Sequence, residues 1–144
     1  MIFITGGAWQ GKLEFAEKLA ENNSEAGIDQ VQQEAESKQS CFKQVAEGKT
    51  DSFEAASNCR IIHDFHEYVR RLLNEGKSIE EFIEGIQRQN RSAIIISNEL
   101  GCGIVPVNPG DRQWREASGR AAVKLAEKSE EVYRVICGIP ARIK

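Results

Sequence analysis

The chain lacks any apolar run approaching the roughly 20 residues that a membrane-spanning helix requires. Its opening MIFITGG has neither the basic flank nor the length of a secretion signal. These two absences predict a protein that stays in the cytoplasm and has no membrane span. Cysteine is sparse: Cys41, Cys59, Cys102 and Cys137 stand far apart with no C-x-x-C pair, which argues against a zinc knuckle or a dithiol redox motif and leaves free thiols as the expectation. An excess of one charge is also missing, since 19 Lys+Arg against 22 Asp+Glu give a net charge of -3. That balance offers no general attraction to nucleic acid or anionic lipid, although a local field can still select a small charged substrate.

What is present fits one ordinary domain. A chain of 144 residues, 40% of them hydrophobic, buries about 68 to 70% of the surface its unfolded form exposes and needs no covalent staples. Ile2 to Thr5 form a short apolar β run, and the spacing of Leu13, Ala16, Leu19 and Ala20 predicts a helix over 13–22. From about 23 to 58 the sequence is rich in Gln, Glu, Ser and Ala and reads as a polar, low-complexity stretch of loosely packed helix or loop. A second β run, Cys59 to Asp64, leads into a helix over 65–74 with Phe65, Tyr68, Val69, Leu72 and Leu73 on one stripe, closed by Gly76.

Ser78, with Glu81 three residues on, forms a capping box for a helix whose apolar face is Ile79, Phe82, Ile83 and Ile86. Ala93 to Ser97 reads AIIIS, apolar without alternation, as a parallel strand covered on both faces should be. A glycine-rich loop over 98–106 follows. Asp111 can then cap a helix running to about Lys128, with Trp114, Ala117, Ala121 and Leu125 on one side. Val132 to Cys137 is a final strand, after which Gly138-Ile139-Pro140 turns the chain into a short tail. This alternation predicts an α/β fold with a mainly parallel sheet flanked by helices.

The segment Gly6-Gly7-Ala8-Trp9-Gln10-Gly11-Lys12-Leu13 fits G-x-x-x-x-G-K-[ST] everywhere except its last position. Between a strand and a helix, such a loop directs backbone N–H groups and the positive helix end at one anion. The lysine neutralises the β and γ phosphates, and the hydroxyl that normally ends the motif ligates Mg²⁺. Leu13 has no hydroxyl. A glycine turn with a surface lysine is the plainer alternative. Phosphoryl transfer also calls for a carboxylate at the carboxyl end of a neighbouring strand, and Asp64 and Glu99 hold such positions. Both are candidates for catalysis and for Mg²⁺, set against a helix cap for Asp64 and a solvated loop for Glu99. His63 and His66, three apart at a helix start, are the only histidines and more often cap or face solvent than bind metal.

GGAWQGK near the start, together with SNELGCGIVPVNPGDRQWREASGRAAVKLAEKSEEVYRVICGIPARIK at the end, resembles the bifunctional adenosylcobinamide kinase / adenosylcobinamide-phosphate guanylyltransferase family of cobalamin biosynthesis. The resemblance rests on N-E-x-G-x-G-I-V-P, on R-x-x-R-E-x-x-G-R and on the G-I-P…K ending. It implies a phosphate-loop fold of the RecA type in a homo-oligomer, a trimer, that phosphorylates a hydroxyl of a corrinoid with ATP or GTP. It further implies transfer of GMP from GTP to that phosphate through a histidine. By motif position Gly6, Gly7, Ala8, Gln10, Gly11, Lys12 and Leu13 surround the nucleotide, Asn98 and Glu99 sit beside it, and Arg112 and Arg115 face phosphate groups. The chain departs from the family at Leu13, at Ala122-Val123, and in a shorter middle that lacks the R-I-x-x-H segment carrying the guanylylated histidine. Neither His63 nor His66 inherits that role. The alternative to an enzyme is a nucleotide- or corrinoid-binding protein without turnover.

Overall fold

The structure, a computed structural model, describes residues 1–25 and 44–144. Residues 26–43, which include Cys41 and make up about half of the polar stretch, lie outside them. Six strands form one sheet in the order β2-β3-β4-β1-β5-β6: β1 (Ile2–Gly6), β2 (Val45–Glu47), β3 (Ile61–His63), β4 (Ile94–Asn98), β5 (Glu131–Ile136) and β6 (Ile139–Arg142). The first five strands pair in parallel, and only β6 runs antiparallel, on β5. Strand β4 separates β1 from β3, so the carboxyl ends of all three converge on one edge. That placement is the one a P-loop α/β fold needs.

The lack of alternation in AIIIS is explained by the burial of both faces of the sheet. Ile95 joins Phe3, Ile62, Val132 and the helices α3 (Phe65–Asn74), α4 (Ile79–Gln89) and α5 (Pro109–Lys128) on one side. Ile94 and Ile96 join Ile4, Ile61, Val135 and α1 (Lys12–Glu25) on the other. Ala16 and Ala20 let α1 lie close to the sheet, and both are fully or almost fully buried. Each large aliphatic side chain withdrawn in this way contributes about 1.5 to 3 kcal/mol.

The expected caps hold at Ser78, whose Oγ accepts from the Glu81 N–H at 3.2 Å, and the left-handed Gly76 follows α3. Three expectations need correction. Helix α5 is capped by Asn108, whose side chain accepts from the Gly110 N–H, and Pro109 and Asp111 both lie within its first turn. Residues 45–58 are not loose, because β2 and the short α2 (Phe53–Asn58) occupy them. The terminal segment is a strand: Cys137 (φ 51) and Gly138 (φ 78) are both left-handed, as a two-residue hairpin with a primed turn requires, and β6 folds back on β5.

Candidate active site

One wall of the site is the loop between β1 and α1. Gly6 has φ 147, and a Cβ there would lie 2.4 Å from the Val135 carbonyl oxygen. The loop can therefore leave the sheet only through glycine. Trp9 (φ 60) and Gly11 (φ 80) adopt further left-handed turns that wrap the chain back toward the start of α1. Gln10 locks this shape. Its Oε1 accepts from the Cys137 N–H at 2.5 Å and its carbonyl from the Gly138 N–H at 3.1 Å, fixing the loop to the β5–β6 hairpin.

Lys12 opens α1 almost wholly buried, and its Nζ donates to the Gly7 carbonyl at 2.5 Å. Burial lowers its pKa, while the charges of Asp64 and Glu99 oppose that shift and favour the ammonium form. A cation beside a helix N-terminus is an arrangement that suits an anion.

The facing wall comes from β2 and β3. Their register sets Glu47 opposite His63, and the His63 Nδ1 lies 2.9 Å from Glu47 Oε2. Asp64 follows in a left-handed conformation at the N-cap of α3, yet its side chain makes no capping hydrogen bond. Its Oδ1 instead lies 3.7 Å from His63 Nε2 and 4.0 Å from His66 Nδ1. Glu47, His63 and Asp64 thus form a half-buried group whose ligating atoms all fall within 4.8 Å of one another.

Gly48 makes this approach feasible, since a Cβ on it would sit 2.1 Å from the Asp64 carbonyl oxygen. Arg71 clamps the same turn through the carbonyls of Gly48 (3.0 Å) and Asp51 (2.6 Å) while lying over the ring of Phe53. His66 is a different case: buried, bonded to the Asn98 N–H and side chain, and stacked on Trp114. Burial is the main cause that pushes its pKa down to about 4, so it is neutral.

Between the walls lies a cleft of 510 Å³ lined by Ala8, Gln10, Gly11, Lys12, Leu13 and Asp64, with Asn98 at its floor. That size falls in the range of small-molecule sites. Glu99, Arg112 and Arg115 are not among the residues that line this cleft, although Glu99 stays close enough to Lys12 for its charge to act there and its N–H donates to the Gly6 carbonyl. Glu99 is gripped by Arg134 through two parallel hydrogen bonds of 2.9 Å, a strong bidentate pairing that takes up both carboxylate oxygens. Arg112 donates to the carbonyls of Pro106 and Val107, and Arg115 to those of Gly101, Gly103 and Ile104. Both arginines therefore hold the glycine-rich loop in place. Sequence reading missed Glu47, Lys49, Glu67 and Trp9 in the cleft region. Glu47 belongs to a strand of three residues inside a polar stretch, too short to leave a periodic signal, whereas the fully exposed Trp9 stood in the loop itself as a visible clue.

Comparison with known proteins adds to this geometry. The family model described as cobinamide kinase / cobinamide phosphate guanyltransferase matches residues 28–143. The bifunctional adenosylcobalamin biosynthesis protein CobU of Salmonella typhimurium is 38% identical over 66 residues, which is 46% of this chain and 36% of that protein. Its counterpart from Escherichia coli is 36% identical over 66 residues, with the same shares. The matched stretch spans about a third of the length of either relative. Among the described residues no helix is long and apolar enough to cross a membrane.

Proposed function

The chain belongs to the cobinamide kinase / cobinamide phosphate guanyltransferase family, and from that premise we propose that its cleft binds ATP or GTP and transfers the γ-phosphoryl group to the hydroxyl of adenosylcobinamide. The observation that carries this reading is the buried Lys12 ammonium at the N-terminus of α1, facing the uncapped Asp64 carboxylate across a cleft at the carboxyl ends of the strands. Backbone N–H groups of the loop and Lys12 neutralise the β and γ phosphates. The substrate oxygen attacks the γ phosphorus as its bond to the bridging oxygen breaks, the nucleoside diphosphate leaves, and the hydroxyl proton passes to a cleft carboxylate, Asp64 or Glu67.

A divalent cation, when bound, would neutralise phosphate charge. Leu13 gives it no ligand and Glu99 is held by Arg134, so Asp64 is the expected residue that remains to meet it. His66 and His63 are bonded to Asn98 and Glu47 respectively, and we assign neither of them as a guanylyl carrier.

The test is mass spectrometry of cobinamide after incubation with the protein, Mg²⁺ and either ATP or GTP. One added phosphoryl group is expected. Lys12→Ala should remove the product and weaken triphosphate binding about 10- to 100-fold, as expected for loss of a charged hydrogen bond. Equal binding by the variant would end the reading, and binding without product in the native chain would favour a protein that holds nucleotide without turnover.

As to assembly, Ile104, Val105 and Val107 project from the glycine-rich loop and are 65–96% exposed, an apolar surface suited to a second copy in a homo-oligomer, with a trimer the form implied by resemblance. Sedimentation should give a mass above 16.1 kDa that falls when Ile104 and Val107 are replaced by aspartate; a monomer at every concentration would contradict it.

A further inference from the structure

The loop has lost its metal-binding hydroxyl, yet the wall facing it carries a group of side chains that this loss does not account for. His63 is the informative member. A carboxylate can only accept, so the neutral imidazole that makes the 2.9 Å contact between His63 Nδ1 and Glu47 Oε2 carries its proton on Nδ1 and its lone pair on Nε2. That lone pair faces Asp64 Oδ1 at 3.7 Å, too long for a hydrogen bond. Two ligands on a metal with bonds of about 2.1 Å stand about 3.0 to 3.4 Å apart, so a shift of a few tenths of an ångström would seat a cation between Nε2 and Oδ1. A carboxylate that orients a histidine through its other nitrogen is the recurring support for a metal-bound imidazole. Asp64 is free for the task because it heads α3 without capping it. His63 and Asp64 also line the same cleft as Lys12.

We propose that His63 Nε2 and Asp64 Oδ1 bind a divalent transition metal ion, with Glu47 as the residue that positions the imidazole. An imidazole nitrogen suits Mn²⁺, Co²⁺ or Zn²⁺, whereas Mg²⁺ takes oxygen ligands and holds its waters. The site therefore prefers the transition metals. The proposal deepens the nucleotide reading but does not depend on it, because two protein ligands and a positioning carboxylate should hold the ion without nucleotide.

The test is electron paramagnetic resonance of Mn²⁺ added to the full chain without nucleotide. Manganese is chosen because it has little affinity for the cysteine thiols. We expect loss of the free-ion signal at one equivalent, and pulsed spectra showing coupling to one imidazole nitrogen. His63→Ala should abolish that nitrogen coupling, and Asp64→Asn should weaken binding. Glu47→Gln should lower affinity about 10-fold while the nitrogen coupling persists. Circular dichroism and thermal melts confirm that each variant is folded. A free-ion signal that persists in the native chain would overturn the proposal. So would bound Mn²⁺ without nitrogen coupling, or a coupling that survives His63→Ala. Binding of Mn²⁺ by a chain that fails to bind triphosphate would refute the nucleotide reading and leave the metal site standing.

Discussion

The two walls of the cleft are built in opposite ways. The phosphate-loop wall is eight consecutive residues leaving a central strand, and it works mainly through backbone groups, a helix end and one lysine. The metal wall is assembled from Glu47 and His63, set opposite one another by the register of β2 and β3, and from Asp64 just past the end of β3, and it works entirely through side chains. The first is rigid because β5 and the hairpin turn hold it at Gly6 and Gln10. The second depends on a short edge strand held by Arg71 and by contact of Gly48 with Asp64. The difference teaches that a leucine at the last loop position leaves the backbone N–H groups and Lys12 of the first wall in place, whereas every change to the second wall removes one of its working groups.

Glycine substitutions give the sharpest break between the walls. Gly6→Ala would force a Cβ to within 2.4 Å of the Val135 carbonyl at a left-handed position in the middle of the sheet, where neither strand can yield. Steric strain and overpacking together should cost about 3 to 5 kcal/mol, seen as a large fall in thermal midpoint with loss of triphosphate binding. Gly48→Ala meets an even closer carbonyl, 2.1 Å away on Asp64. Because β2 is an edge strand of three residues, it can move outward, and the cost should be about 1 to 3 kcal/mol. The displacement would carry Glu47 off His63, so Mn²⁺ affinity should fall while triphosphate affinity is largely kept. Equal damage to both ligands in both variants would mean that the two walls are not independent.

The same contrast explains what the sequence made legible. The loop, the helices over 65–74 and 79–89 and the strand at 94–98 could all be read because their signals are contiguous: fixed glycine spacing, a capping box, an apolar run. The Glu47–His63 pair could not, since its two members are sixteen residues apart and meet only through the β2–β3 register. Glu99 and Arg115 show the converse. Each stood at a position that suggested phosphate or metal, and each is occupied by a partner, Arg134 or a set of loop carbonyls, that no local pattern announces. The sequence offers Asp64 as a cap or a site carboxylate, and in the structure it heads α3 in a left-handed conformation without a capping hydrogen bond.

A milder substitution sharpens the comparison further. Leu13→Ser restores the hydroxyl that the loop lacks, at the start of α1 where it can face a phosphate-bound ion. Leu13 is half-buried and packs against the cluster around Ile4 and Ala16, so the change should cost about 1 to 2 kcal/mol of stability through lost apolar burial. An added oxygen ligand should raise Mg²⁺-dependent triphosphate affinity by about 3- to 10-fold, the worth of one net hydrogen-bond-scale contact. Because the new ligand is an oxygen, the gain should be larger with Mg²⁺ than with Mn²⁺, which the imidazole of His63 already favours. Calorimetric titration of triphosphate in each metal reads this directly. A gain in Mg²⁺ alone would show that the two walls divide the metal between them by ligand type. An equal gain in both would mean that the ion sits against the loop, out of reach of His63. No gain in either would place the ion wholly on the side-chain wall.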